Sequence, residues 1–505
     1  MNIVIRTDSS VHIGLGHVMR SIVLAKALKS HGHSIKFAVR IQNGDSINYL
    51  RREGFQVYEL PRSTECLIPK SNSDYAAWLQ VPIELDADQF VSVVKSTDAV
   101  IVDHYALGAE WEKEVKSRLD CKIVVIDDLV RKHDADLIID QTLMRTPAEY
   151  KSINNTNDIL TGCDYALLNP QFIAKREQAL ENSSFPTKFK ILISMGGFDK
   201  DNVTLQILKV LQAQAYDKHQ VTVILDRKSP SYKNVKDFCS LNCDWIKHIG
   251  FVDDMAEIIL THSIAIGTPG TTSWERACLG IPSIIIPTAD NQRTVARNLV
   301  AAKASILVEK ENISSGLVSS CKALLENWYE FRQANLRLCD GLGVRRVVMK
   351  VNNLLFEQDN KLSIRRACLD DIKQVFAWQG HLDTRKYALT TNAPKWEEHQ
   401  RWMKQKLRSV EDFFYMVTLP KNDKSVAVVR LDRIKKAEYI VSIFVSPEHF
   451  NQGIAKQALS FLDDIHKDVT LHATVLEDNT ASQRLFTVAN YRRVSADNFI
   501  RLPIA

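Results

Sequence analysis

Long apolar runs are missing from this 505-residue chain. None approaches the roughly 20 consecutive residues that span a bilayer, which excludes a membrane-spanning helix. A charge excess is missing too. The 65 basic residues against 60 acidic ones leave a net charge of +5, too balanced to argue for nucleic acid or a membrane surface as partner. Cysteines number nine, an odd count, and Cys239 and Cys243 have no second close pair to complete a zinc site. No metal is expected, and the thiols read as reduced packing groups. The N-terminus has no basic start with a cleavable apolar core; it runs straight into a strand pattern, so a cytoplasmic location is expected. What remains is the composition of a soluble globular protein, with length enough for about three domains.

The chain is organised around its first 28 residues. Ile3, Val4 and Ile5 form a short strand-like run, Thr7 to Gly16 are polar or glycine, and Val18, Ile22, Ala25 and Leu28 recur on one helical face. A strand, a glycine loop and a helix follow one another. Gly14 and Gly16 permit a tight turn and close approach of the backbone to a ligand. The helix start offers free N–H groups and a positive dipole end, suited to phosphate. His17 sits at that turn, on the edge where open α/β sheets keep their ligands, and an imidazole there can take a proton near neutral pH. By itself it also reads as an ordinary cap or surface histidine. Without a third glycine, Gly14-Leu15-Gly16-His17 is not a dinucleotide fingerprint.

Short apolar strands alternate with amphipathic helices up to about Asn182. Candidate strands are Ser34 to Val39, Ala99 to Asp103, Lys122 to Asp128 and Leu137 to Ile139. The alternation predicts a parallel, doubly wound sheet over residues 1–182. Asp103 and the pair Asp127-Asp128 close two of these strands at the ligand edge, where acids also serve as helix caps. Glu181 to Pro186 reads as a linker. A second doubly wound domain, 187–352, begins with the strand Phe189 to Ile193 and the loop Ser194 to Asp199, which contains Gly197. Later strands are Val221 to Leu225, Ser263 to Ile266 and Ser283 to Ile286. The run Gly267 to Pro282 reads as a strand end, a hydroxyl-rich turn and a helix. Thr271, Thr272, Ser273 and the backbone N–H groups there can surround a diphosphate, and Glu275 can accept two ribose hydroxyls. A hydroxyl residue followed by Glu is also a common helix cap. Asn291 and Gln292 close the next strand with amides suited to sugar hydroxyl or acetamido groups.

The runs Arg6 to Ser10, with Asp8, and Ile13 to Arg20 resemble the opening of the UDP-sugar hydrolases of the pseudaminic acid pathway, themselves similar to two-Rossmann glycosyltransferases of peptidoglycan synthesis. The resemblance covers about 350 residues. It implies a GT-B-like architecture with His17 as catalytic base, Tyr105 near the sugar, Glu275 on ribose, and Asn291 and Gln292 facing the sugar. Asn169 stands where that family usually has arginine and offers a neutral amide in place of a charged fork. Pro269 replaces a more usual glycine.

Residues 357–361 read as a charged linker, and 362–505 as a separate α+β unit. Val426 to Leu431 and Tyr439 to Val445 are paired strands leading into Gln452-Gly453-Ile454-Ala455 and an apolar-periodic helix. This resembles the acyl-CoA loop of GNAT N-acetyltransferases and implies acetyl-CoA as co-substrate. Val445, Gln452, Gly453, Ile454 and Ala455 are its expected contacts, joined by Asn479 and Ser482 of a second GNAT-like block. Phe486 stands where the family often has a tyrosine acid and cannot donate a proton, which leaves Tyr491, another group or water for that role. The combined expectation is a bifunctional enzyme without nucleic-acid or membrane partners, acetylating a 4-amino UDP-sugar and hydrolysing the product to UDP and free sugar. The alternative is a glycosyltransferase with a non-catalytic acyl-CoA module.

Overall fold

The computed structural model describes the chain apart from residues 72, 157, 183, 187–188, 197, 215–218, 357–361, 391, 420–423 and 505. The 357–361 linker and Gly197 therefore lie outside the described residues. Two compact units are present, Met1–Leu355 and Phe356–Ala505. Among the described residues no helix is long and apolar enough to cross a membrane.

The first unit holds two parallel sheets. One is built from β1 (Asn2–Thr7), β2 (Ser34–Arg40), β3 (Gln56–Leu60), β4 (Ala99–Asp103), β5 (Lys122–Ile126), β6 (Leu137–Asp140) and β7 (Ile159–Thr161), in the order β3-β2-β1-β4-β5-β6-β7. The other takes β8 (Lys190–Ser194), β9 (Gln220–Ile224), β10 (Ile246–Ile249), β11 (Ile264–Gly267), β12 (Ser283–Ile285) and β13 (Ser305–Leu307), in the order β10-β9-β8-β11-β12-β13. Every residue of β4, β6, β11 and β12 is buried, which is why these strands read as unbroken apolar runs: helices cover both faces. Each order reverses once, at β1/β4 and at β8/β11, and such switch points open a crevice at the carboxyl ends of the strands. Asp8 and Gly14 lie in the loop after β1 and Tyr105 in that after β4, while Gly16, His17, Thr271, Thr272, Ser273 and Glu275 lie in the helices that follow β1 and β11.

The helix Gly343–Leu355, expected with the second domain, instead buries Val344, Val347, Val348, Val351 and Leu355 in the core of the first sheet. Its apolar stripe has the helix Gly16–Ser30 as partner, so the chain crosses back to its start before the first unit ends. Gly343 makes this seat possible, since a Cβ there would meet the Ala166 carbonyl oxygen at 2.3 Å and the Ala166 nitrogen at 2.5 Å.

The second unit carries one mixed sheet of β14 (Ser363–Arg366), β15 (Phe413–Thr418), β16 (Ser425–Lys435), β17 (Glu438–Val445), β18 (Thr470–Thr474), β19 (Arg492–Arg493) and β20 (Asn498–Arg501), in the order β14-β15-β16-β17-β18-β20-β19. The β17–β18 pair is its parallel one. It pairs at Glu438↔Thr470, Tyr439↔Leu471 and Ile440↔His472 and then parts. Beyond the fork β17 stays paired to β16 as far as Val445↔Ala427, while β18 stays paired to β20.

Gly343→Ala is expected to lower the stability of the first unit by at least about 2 kcal/mol, because backbone rather than a yielding side chain blocks the added methyl. Denaturant unfolding of the full chain measures this, and an unchanged midpoint would show that Ala166 gives way.

Candidate functional site

A cleft of about 770 Å³ lies between the carboxyl edges of the two parallel sheets. Gly16, His17, Arg20, Trp78, Tyr105 and Asp128 line it from the first sheet, and Gly270, Thr271, Asn291 and Gln292 from the second.

Gly14 occupies the left-handed region at φ 77°, donating its N–H to the Ser10 carbonyl (3.0 Å). That turn starts the helix at Gly16 and places His17 in its first turn, 9% exposed. The His17 Nδ1 lies 2.6 Å from Oδ1 of Asp103, at the end of β4. A carboxylate only accepts, so Nδ1 carries the proton and the lone pair resides on Nε2. Among the described residues Nε2 has no hydrogen-bond partner. An imidazole so held is a base with its free end at the cleft wall.

Asp103 is itself fully buried. Arg20, one helical turn beyond His17, donates to it through Nε and Nη2, each at 2.7 Å, and Ser21 Oγ adds a third donor at 3.1 Å. Burial opposes its charge, but the Arg20 guanidinium and His17 outweigh that and hold the carboxyl well below its ordinary range. Arg20 Nη1 also reaches Asp128 Oδ2 (2.5 Å), which accepts a further bond from the Tyr105 hydroxyl (2.7 Å). Burial and then Asp128 push the Tyr105 phenol far up, so it stays a neutral donor. Tyr105 packs edge-on to His17 with centroids 4.5 Å apart, and Trp78 stacks on Tyr105 at 5.8 Å. An aromatic wall therefore flanks the base.

On the opposite side Gly270 N donates to Ser273 Oγ (3.3 Å), and Arg276 Nη2 donates to the same oxygen (3.0 Å). Ser273 is thereby buried as a cap, and Thr272 Oγ1 is held by Arg276 Nη1 (3.3 Å). Thr271 is the hydroxyl of this turn that lines the cleft. Glu275 is partly buried, with Oε2 unpartnered among the described residues. Burial pushes its carboxyl up to about 7, with Arg276 opposing. A buried carboxylate oxygen lacking donors costs stability, and a ligand's hydroxyls can supply them. Gln292 accepts from Thr288 N (2.8 Å) at its oxygen, while Asn291 beside it also lines the cleft.

Ser273, Thr272 and Glu275 do not line the cleft, and Asp8 and Asn169 are likewise used elsewhere. Asp8 is fully buried, taking Arg6 Nη1 at 2.5 Å and Arg40 N at 2.8 Å in a network that Asp86 extends, so it braces β1 and β2 beneath the cleft. Asn169 caps the helix Pro170–Glu181 by accepting from Gln171 N (3.0 Å) and does not line the cleft. Arg20 and Trp78 were not singled out from the sequence. The three-residue spacing of His17 and Arg20 on one helix was the available signal for Arg20; the five-residue helix holding Trp78 gave none.

In the second unit, Gly453 (φ 76°) turns the chain into the helix Ile454–Ile465, leaving its first N–H groups available beside Gln452, Ile454 and Ala455. Val445 ends β17 just before this loop. The unpaired β17 edge, Val441–Val445, offers backbone groups to an extended amide-bearing ligand. Asn479 instead accepts from Ser482 N (3.1 Å), so this pair caps the helix Thr480–Val488. Tyr491 is buried against Phe486 with centroids 4.9 Å apart. His399 has both ring nitrogens engaged, by Gln379 and the Ile372 carbonyl, and serves packing. Among the described residues no group of three or more His, Cys, Asp or Glu is placed to hold a metal ion.

Glu275→Gln is expected to stabilise the unliganded protein as pH rises. Its raised folded value means that the folding penalty of the carboxylate grows from its ordinary 4.5 up to about 7 and is complete above that. Melting temperatures of variant and wild type should diverge across this interval and run parallel above it. Parallel curves at all pH would place the carboxylate in water.

Residues 191–335 match the glycosyltransferase family 28 C-terminal domain, and residues 361–491 match the GNAT acetyltransferase domain. An uncharacterized protein of Methanocaldococcus jannaschii is 22% identical over 98% of this chain and 97% of its own. The UDP-2,4-diacetamido-2,4,6-trideoxy-beta-L-altropyranose hydrolase of Campylobacter jejuni is 26% identical over 48% of this chain and 76% of its own. The spore coat polysaccharide biosynthesis protein SpsG of Bacillus subtilis is 25% identical over 71% of this chain and 100% of its own. The second parallel sheet is thus similar to a glycosyltransferase family 28 C-terminal domain, and the second unit is similar to a GNAT acetyltransferase domain.

Proposed function

We propose that the first unit hydrolyses a UDP-sugar at its anomeric carbon, releasing UDP and free sugar, and that the second unit acetylates the 4-amino group of the precursor UDP-sugar from acetyl-CoA. The substrate of the hydrolysis is UDP-2,4-diacetamido-2,4,6-trideoxy-L-altrose. One observation carries the hydrolytic reading: His17 is fixed through Nδ1 by a buried, charged Asp103 while Nε2 stays unpartnered beside the cleft. An imidazole held this way takes a proton from water as the oxygen attacks C1, and Asp103 stabilises the imidazolium that forms. Attack by one water in a single displacement inverts the anomeric configuration.

The leaving diphosphate meets Thr271 and the N–H groups that start the helix Thr271–Cys278. These fixed donors stabilise charge as it builds on the phosphate oxygen. Glu275 is suited to the ribose hydroxyls and the amides of Asn291 and Gln292 to acetamido or hydroxyl groups of the sugar. The similarity to the Campylobacter jejuni hydrolase supports this assignment over glycosyl transfer. The GNAT match and the glycine turn at Gly453 support acetyl-CoA as donor for the second unit. The amino-sugar reading joins two consecutive reactions on one chain.

His17→Ala is expected to lower UDP release by ~10²–10⁴-fold while leaving UDP binding intact. Coupled detection of UDP with calorimetric titration of the nucleotide separates the two effects. Unchanged turnover would remove His17 from the mechanism, and UDP loss that requires an added acceptor would turn the reading to a transferase.

A further inference from the structure

The fork between β17 and β18 carries a titratable pair that neither the glycine loop nor the cleft uses. His472 is the last residue of β18 to pair with β17, opposite Ile440. Its Nε2 lies 3.1 Å from Oε2 of Glu438, the first residue of β17. Among the described residues Nδ1 has no partner. The side chains are 35% and 28% exposed, so solvent and solutes reach both. Leu471 and Ala473 are buried in the sheet's covered face, so His472 projects to the opposite face.

This placement answers a chemical need. An amino-sugar nitrogen is an ammonium at neutral pH and has to lose a proton before it attacks a thioester. Phe486 supplies no proton chemistry, Tyr491 is buried, and His399 is fully bonded. Of the two strands that bound the fork, β17 and β18, the one imidazole is His472, and the fork is where the β17 edge is open to the acyl-carrying arm. The carboxylate of Glu438 orients the ring, favours the Nε2–H tautomer and stabilises the imidazolium.

We infer that His472 is the general base of acetyl transfer in the second unit, with Glu438 as its positioning residue; the inference rests on the acetyl-transfer reading above. The ammonium proton passes to Nδ1 of His472. The freed nitrogen lone pair forms the C–N bond at the thioester carbonyl carbon, the C–S bond breaks, and sulfur leaves with the bonding electrons. The second nitrogen proton neutralises the thiolate, giving amide, CoA thiol and imidazolium. On the same face Asp432 of β16 pairs with Ile440, the residue opposite His472, and holds Lys406 (2.7 Å) and Arg430 (2.8 Å). Glu438 faces it from β17, with Lys435 of β16 on that carboxylate at 3.0 Å. On the other side β20 presents Ile500 opposite His472, and β19 sets Arg492 opposite Ile500.

The test is thiol release from acetyl-CoA by the full chain with a UDP-4-amino-sugar acceptor, followed across pH. His472→Gln is expected to lower kcat about 100-fold or more, leave the acetyl-CoA KM unchanged, and abolish the rising limb of the pH–rate profile. Glu438→Gln is expected to give a smaller loss and to shift that limb. UDP release by the same preparations reports that the variants are folded. A His472→Gln rate within about threefold of wild type, with the limb retained, overturns the inference and leaves an exposed ion pair of little consequence. Wild-type protein that binds acetyl-CoA yet transfers acetyl to no amino-sugar overturns the acetylation reading itself, and the base with it.

Discussion

A carboxylate taken out of water has to be matched by donors, and at the end of β4 Asp103 is matched by three side chains of one helix. Arg20 and Ser21 sit in the buried face of that helix, positions where polar residues are costly unless bonded. Their bonding to Asp103 fixes the helix against β4 and sets the ring plane and tautomer of His17. The cleft's chemistry follows: Nε2 is left as the free basic atom. The same guanidinium extends to Asp128 and through it to Tyr105, so the aromatic wall and the base are held by one network. Loss of Asp103 would remove two of Arg20's four hydrogen bonds and leave His17 free to rotate.

Much of this was legible in the sequence because parallel strands buried on both faces leave unmistakable apolar runs. Ala99 to Asp103 was bounded to the residue, and the glycine loop before His17 was read as a ligand turn. The edge strand Gln56–Leu60 gives neither an apolar run nor a clean alternation, since Val57 and Tyr58 are adjacent between polar residues, and so carries no clear signal. The helix Gly343–Leu355 follows the second sheet in the chain yet packs on the first core, and sequence order says nothing about such a crossover. Asp8 and Asn169 are expected as contacts only from the resemblance, and sequence does not distinguish a polar residue that faces substrate from one bonded to a buried arginine or capping a helix. Glu275 was legible by position, but its orphaned oxygen was not.

The second unit shows the same division. Gly453 and the helix after it were visible as a turn and an apolar period. The fork between β17 and β18 was not, since neither strand changes character where the pairing ends. His472 has no local signal either: it is one polar residue in an alternating strand, and its proximity to Glu438 comes from a register 34 residues apart.

The proposed attack of water on the anomeric carbon under His17 is tested most directly by isotope placement. Turnover of the UDP-sugar in water enriched in oxygen-18, read by mass spectrometry of both products, is predicted to put the label in the free sugar and none in UDP. Label in UDP would mean attack at phosphorus and would contradict the mechanism built on His17 and Asp103.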